Sequence, residues 1–562
     1  MRRRLAAGLA VGALALAGVL APVPASAQNR DQMTIGLSQF PSNFNPNVDS
    51  MLAKSWILYT SQRPITAFDA DWKLNCVLCE ELPSIAKGTA QEFTNAAGQR
   101  TVRATYTLKP NLKWGDGTPV TTKDVVFTWT IGKDQRTGFA NNDFYTKKLV
   151  NVTAQDDRRF TVERDKFSCD YNNMEQFVLL PAHVEEPIYR ADPENYKTKT
   201  AYDTQTTNPA LYNGPFRIAA VERGASVTLE PNPMWEGPRS PFRRVVIRAI
   251  ENLPALEANL LSGDVDYVSG ELGFTIDQLL ALQKRQPDRF TYTYRPGLVY
   301  EHIDLNLDNP LLKDVRVRQA LLYAIDREVV TQELFEGKQP VAHTSVNPID
   351  ANFDPNVPKY GFDPAKARQL LDAVGFRPGP GGIRVDGQGR RLSFEFQTTA
   401  GNTSRETVQQ VLQAQWKEIG VEVVIKNEPA RVFFGQTMRE RKFTGLAMFA
   451  WISSPDSPPR TILHSSQVPT AENGWGGQNY MNYQSARMDK ALDDLDVTCD
   501  AGPRRAAWAE FQKIYAEEVP VLPLFFRVEP YAIPKTLSGL QPRGHQFSST
   551  MGVEDWRMTG AR

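Results

Sequence analysis

The chain reads as a layered α/β protein of two or three domains, and three features of its sequence say so. Helical stretches opened by Asn or Asp with Pro at the first helical position, and closed by Gly, run on into short apolar strands. At 562 residues the chain is too long for one ordinary hydrophobic core. No self-similar period runs through it, so repeats do not account for the length.

Taken in order, Arg2, Arg3 and Arg4 precede an apolar run over 5–21, followed by Pro22, Pro24 and Ala25-Ser26-Ala27. That is the charged, apolar, small-x-small order of a cleavable secretory signal, so 1–27 are expected to be removed. No cysteine follows the cleavage site, which argues against a lipid anchor there. No later apolar run reaches membrane-spanning length. The whole chain balances 64 basic against 64 acidic residues, and loss of the three signal arginines leaves a charge of −3. Such a balance makes no electrostatic case for a nucleic-acid partner.

Four cysteines in an exported chain permit two disulfides. Cys76 and Cys79, in NCVLCEE, favour a local structural bridge, because no second CxxC exists to complete a zinc site. Cys169 and Cys499 can pair or stay as free thiols.

Residues 33–37 form the first expected strand, and a polar loop over 38–50 carries Phe40, Asn43, Phe44 and Asn45. A helix is expected over 51–59 and a strand over 105–109. A Gly-containing turn over 114–119 leads to a helix over 123–131, capped by Thr121 or Thr122. Asn252 with Pro254, and Asp363 with Pro364, open helices that end at Gly263 and Gly375. Ser404 opens another, with Val408, Leu412, Trp416 and Ile419 at helical spacing, followed after Gly420 by a strand. Residues 315–330 read as one core helix capped by Asp314. Pro503 starts a last helix with Trp508, Phe511 and Tyr515 inward, and Pro520 ends it. The Gly-rich tip over 379–389 lacks any phosphate-loop pattern.

The most informative stretch for function is 445–483. An apolar strand ending at Trp451 breaks at Ser453-Ser454-Pro455 into a long loop of prolines, amides, glycines and aromatics. Long loops in compact domains are usually functional or disordered, and Trp475, Tyr480, Met481 and Tyr483 are too apolar to stay solvated. Rigid rings among adaptable amides make a surface for a polar ligand, against the plainer reading of an ordinary packed loop. Catalytic sets are missing: there is no GxSxG, HExxH or CxxC…CxxC array. His302 reads most simply as a strand-edge histidine, with Glu301 or His302 facing a cleft as the sharper alternative.

TYTLKPNLKWGDGTPVTTKDVVFTW resembles a signature of family 5 of the extracellular solute-binding proteins, which serve ABC importers of dipeptides and oligopeptides. The resemblance continues through Asn213-Gly214-Pro215-Phe216-Arg217, SVTLEPNPMWEG and FRRVVIRAIENLPALEANLLSGDVDYV. It extends into HIDLNLDNPLLKDVRVRQALLYAIDREVV, YGFDPAKARQLLDAVGF and YAEEVPVLPLFFR, in family order.

What the resemblance implies is a two-lobed periplasmic-binding-protein fold of the large class, with an inserted domain and a hinge between lobes. Lobe one would comprise 28–64, 205–299 and 525–562, with the insertion over 65–204; lobe two would span 300–524. The expected function is capture of a peptide or small polar solute and delivery to membrane permease subunits, by a periplasmic monomer without cofactor, metal or catalysis. A secreted hydrolase and a ligand-sensing subunit for a chemoreceptor are the alternatives. In peptide-binding relatives an aspartate three residues after the strand-end Trp pairs with the ligand's amino group. Here that position is Ser454, and Asp456 lies two further on. Candidate ligand contacts are Phe40, Asn45, His302, Trp451, Ser454, Asp456, Glu472, Trp475, Asn479 and Tyr480.

Overall fold

The computed structural model describes residues 30–562 except 49–50, 141, 143, 430–431, 453, 473–476, 546 and 561–562. The expected signal, 1–27, and Trp475 lie outside the described residues.

Local capping chemistry explains most helix starts. Asn252 accepts from Ala255 N–H, Asp363 from Lys366 N–H, and Thr121 forms a capping box with Asp124, each satisfying amides that the first turn leaves unpaired. Gly263 closes its helix at φ +88°, a conformation costly for residues with a Cβ. Two expectations are corrected. Residues 315–330 form two helices, Val315–Tyr323 and Arg327–Phe335, because the Asp326 side chain accepts from Val329 N–H and restarts the helix. Asn402, rather than Ser404, caps the helix Thr403–Glu418.

Two mixed five-stranded sheets organise two lobes. In the first, Tyr267–Val268, Gln32–Leu37 and Arg244–Ala249 are parallel, and Ser226–Pro231 and Phe216–Glu222 follow antiparallel. Its Ile35 and Val245 share one buried core with Tyr106 and Phe160 of a four-stranded antiparallel sheet, Ala90–Thr94, Arg100–Thr107, Arg159–Arg164 and Leu149–Ala154. In the second, Glu422–Ile425, Ser393–Gln397 and Leu446–Ile452 are parallel, then Phe290–Leu305 and Val521–Pro534 complete it antiparallel. Its core is separate, with Phe394, Leu412, Trp416 and Leu522, and a further cluster lies between the helices Ala486–Val497 and Ala501–Glu518.

Phe290–Leu305 and Val521–Pro534 connect the lobes. They pair from Phe290 opposite Pro534 to Asp304 opposite Val521, with register shifts between Pro296 and Tyr300 and between Glu301 and His302. One end, at Phe290 and Ala532, packs with Leu256 and Leu279 of the first lobe's helices, while Ile303 and Leu522 at the other end lie in the second lobe's core.

Candidate ligand-binding site

Strand alternation builds the site. Tyr300 lies opposite Trp451 and His302 opposite Phe449, so these four side chains share one face of the second sheet. Their rings form a continuous wall. Tyr300 stacks on His302 at 5.1 Å, His302 meets Phe449 edge-on at 4.7 Å, and Trp451 stacks on Tyr480 at 5.8 Å. Residues one step along the strands, Val299, Glu301, Met448 and Ile452, point to the other face. A cavity therefore lies on each side of the strand ends.

The first cavity, about 360 Å³, is lined by Tyr300, His302, Trp451, Trp508 and Tyr515; among the described lining residues Asp350 is the one carboxylate and there is no Lys or Arg. Tyr300 and Tyr515 close its floor with a 2.6 Å hydroxyl–hydroxyl hydrogen bond. Trp451 Nε1 and Ser345 Oγ, both on its wall, are buried without a hydrogen-bond partner among the described residues. Buried donors are rarely left unpaired, so each is a position where a bound solute can accept. Asp350 accepts from Asn352 N–H at 2.8 Å, and no cation pairs with it among the described residues. Burial, together with the nearby Asp456 charge, lifts its carboxyl above the ordinary range.

The second cavity, about 670 Å³, lies between the lobes, with Leu52, Glu271 and Thr275 on one side and Glu301, Arg405 and Arg527 on the other. Glu301 is fully buried. Burial alone would raise its pKa, but Arg527 at 2.5 Å and Arg405 at 2.6 Å hold the carboxyl below its usual range. Ile452, 62 % exposed, lines both cavities. Behind the ring wall, His302 Nε2 lies 3.1 Å from the buried Asp304 carboxylate, whose pKa burial raises and His302 opposes.

The structure gathers some of the expected contacts and disperses others. His302, Trp451 and Ser454 line the first cavity, and Tyr480 backs Trp451. Ser454 Oγ also reaches Glu175 of the first lobe at 3.4 Å. Asp456 does not line either cavity: its carboxylate takes Arg504 at 2.7–2.9 Å, Trp508 Nε1 at 3.0 Å and Asn352 at 3.0 Å. Asn479 is fully buried and fastens its own loop, donating to the carbonyls of His464 and Tyr483 and accepting from Tyr483 N–H. Asn45 is likewise buried, accepting from Asn47 and Val48 N–H in a turn, and Phe40 packs edge-on against Phe44. Glu472 is exposed and lines neither cavity.

Asp350, Trp508, Tyr515, Arg405 and Arg527 were not singled out from sequence as contacts, whereas Glu301 was the alternative to His302 as a cleft-facing residue, and it lines the interlobe cavity. Its two arginine partners lie more than 100 residues further along the chain, where no spacing rule connects them to it. As for the cysteines, Cys76 pairs with Cys79 and Cys169 with Cys499.

The bonding of Asp456 makes a prediction. Asp456→Asn should lower stability by about 1–3 kcal/mol, because Arg504, with 9 % of its side chain exposed, loses its charged partner. Urea denaturation measures it. A loss of ligand affinity with stability unchanged would return Asp456 to the binding surface.

Two α/β lobes joined by paired strands, with one cavity between them and a ring-walled cavity in the second lobe, form an architecture that can take up a small solute. The family model for bacterial extracellular solute-binding proteins, family 5 Middle, matches residues 52–471, and the chain belongs to this family. It is a solute-binding receptor of an ABC importer, in a family of substrate-binding proteins rather than enzymes.

The structure resembles that of the oligopeptide-binding protein from Thermus thermophilus complexed with a pentapeptide, at 30 % identity and a TM-score of 0.73, covering 94 % of this chain and 96 % of that one. The oligopeptide-binding protein AppA of Bacillus subtilis is 26 % identical over 456 residues, 80 % of this chain and 79 % of the relative. NikZ from Campylobacter jejuni in complex with Ni(L-His) shares the fold, at 23 % identity and a TM-score of 0.72, covering 94 % and 99 %. Among the described residues no helix is long and apolar enough to cross a membrane, and no three His, Cys, Asp or Glu side chains are grouped to hold a metal ion.

Proposed function

We propose that this receptor captures a peptide, or a peptide-sized polar solute, that carries a cationic group, and that Asp350 receives that group inside the ring-lined cavity. The observation that carries the reading is the composition of that cavity: among the described residues, one carboxylate without a cationic partner, two buried donors without acceptors, and five rings. Aromatic faces and a lone carboxylate together attract an organic cation, and a basic side chain there would repel it. A peptide supplies both requirements, an ammonium for Asp350 and carbonyls for Trp451 Nε1 and Ser345 Oγ. Relatives that bind oligopeptides by name support the substrate class. Trp451, His302, Ser454 and Tyr480 form the polar–aromatic wall of this site.

The rest of the reading follows the same physics. Residues 1–27 direct export and are cleaved, so the protein works in the periplasm and hands its solute on without altering it. The limits at 300 and 525 fall inside two continuous paired strands, whose register shift at Pro296–Tyr300 is where the lobes turn on each other. Contacts from both lobes exist only when closed, so solute binding shifts the open–closed balance by that difference.

Isothermal titration with a free-amino pentapeptide and its N-acetylated counterpart tests the assignment. Asp350→Asn should weaken binding of the free-amino probe about 10- to 100-fold, the worth of a hydrogen bond to a charged group. The acetylated probe should lose far less. Equal affinity of wild type and Asp350→Asn for the free-amino probe would remove Asp350 from the site.

A further inference from the structure

The two lobes are joined at a second place, away from the paired strands. Cys169 lies between the strand Arg159–Arg164 and the helix Ala182–Ala191, flanked by Phe160, Phe167 and Phe177 of the first lobe's core. Cys499 lies in the short link between Ala486–Val497 and Ala501–Glu518, flanked by Leu495 and Trp508 of the second lobe. The two are disulfide-bonded across 330 residues of sequence, with Cα atoms 5.2 Å apart. The bridge therefore ties together two bodies with separate hydrophobic cores.

Among the described residues, the noncovalent contacts beside the bridge include one backbone hydrogen bond and one ion pair. Cys169 N–H donates to Asp496 O at 2.9 Å, and Lys166 Nζ lies 3.2 Å from Asp496 in a half-exposed pair. Exposed pairs of this kind contribute little. The first cavity lies in the second lobe, beside the crossing strands. On one side it is lined by Leu298 and Tyr300 of the crossing strands. On the other it is lined by Ser454 and Thr461, next to Arg460, which reaches Asp496 at 3.4 Å. Two lobes joined covalently at two places cannot swing apart about one of them alone.

We propose that Cys169–Cys499 is a redox-operated latch between the lobes: the oxidised bridge holds the lobes together, and its reduction lets them part. Cys499 is exposed and Cys169 half-buried, so Cys499 Sγ is the accessible target for a dithiol reductant. A thiolate of the dithiol attacks Cys499 Sγ, the S–S bond breaks, and its electron pair leaves on Cys169 Sγ, which takes a proton. The second thiol then displaces the mixed disulfide, freeing the Cys499 thiol and leaving the reductant as its own disulfide. Two electrons and two protons pass in all, and a disulfide oxidant reverses the step. The Cys76–Cys79 bridge spans three residues within one lobe and plays no part in the latch.

The test uses the mature chain without solute, so its outcome is separate from that of Asp350→Asn. The Cys76→Ser/Cys79→Ser variant leaves only the long bridge, and is compared before and after dithiothreitol by small-angle scattering and amide hydrogen exchange. Reduction should enlarge the radius of gyration and speed exchange of cleft amides, such as those over 401–405, at least tenfold. Cys169→Ser/Cys499→Ser should match the reduced form in either redox buffer. Should that variant fail to fold, the oxidised–reduced comparison decides alone, with far-UV circular dichroism confirming that the reduced chain is folded. Unchanged size and exchange on reduction would overturn the proposal. So would a nonreduced peptide map lacking the Cys169–Cys499 cross-link.

Discussion

Glu301→Ala is expected to lower the unfolding free energy by about 3–5 kcal/mol, the cost of leaving buried charges without their partner. Glu301 is fully buried and holds two guanidinium groups, Arg405 at 2.6 Å and Arg527 at 2.5 Å. Arg405 keeps one hydrogen bond, to Thr399 Oγ1 at 3.1 Å. Arg527 is 38 % exposed toward the interlobe cavity and can recruit water, which places the expected loss at the lower end of that range. Urea denaturation of wild type, Glu301→Ala and Glu301→Gln measures the effect, and Glu301→Gln should recover only the part that depends on shape. A loss below about 1 kcal/mol for Glu301→Ala would mean the trio is worth no more than an exposed ion pair.

Stability should fall as pH rises from about 6.5 to 8. Burial, and then the neighbouring Glu271 charge, push the Glu529 carboxyl up to about 8, and burial pushes Glu185 up to about 7. Each keeps a proton in the folded chain that the unfolded chain releases near 4.5. Their contribution is therefore complete below that pH and is lost as pH climbs through the folded values. His343 and His545 act in the opposite sense. Burial pushes both down to about 4 from 6.5, so their contribution is present above 6.5 and lost as pH falls toward 4.

Between about 4.5 and 6.5 the two glutamates and two histidines roughly cancel; above 6.5 only the glutamates still change. The net loss by pH 8 is on the order of 2 kcal/mol. Thermal midpoints across that range should decline, and Glu529→Gln, which mimics the protonated carboxyl that accepts from Tyr531 at 2.8 Å, should flatten the decline. A wild-type profile already flat from 6.5 to 8 would show that neither carboxyl is held protonated.

Helix boundaries were largely legible because caps are local. Asn252, Asp363 and Thr121 each bond amides two or three residues away, and Gly263 needs only its own φ. The break at Asp326 was missed because the apolar spacing of 315–330 continues across it, and only the Asp326 side chain marks the restart. At the site, Trp451 and Ser454 stood out because an apolar strand runs straight into a loop of prolines and amides. Asp456 was equally visible, but its partner Arg504 lies 48 residues away on the helix Ala501–Glu518, and no spacing rule connects them. Asp350 sits in a loop without a motif, and Trp508 and Tyr515 read as the inward face of a helix, which they are as well as cavity wall.

From residue order alone came the α/β layering, the helix caps, the family and the absence of catalytic sets, since each depends on neighbours in sequence or on residue types present or missing. Which carboxylate faces the solute, which is consumed by an arginine, and which cysteines meet across the lobes depend on contacts between segments tens to hundreds of residues apart. Those contacts form only when two sheets and their cores have packed, because burial and charge pairing are properties of a place in space rather than of a position along the chain.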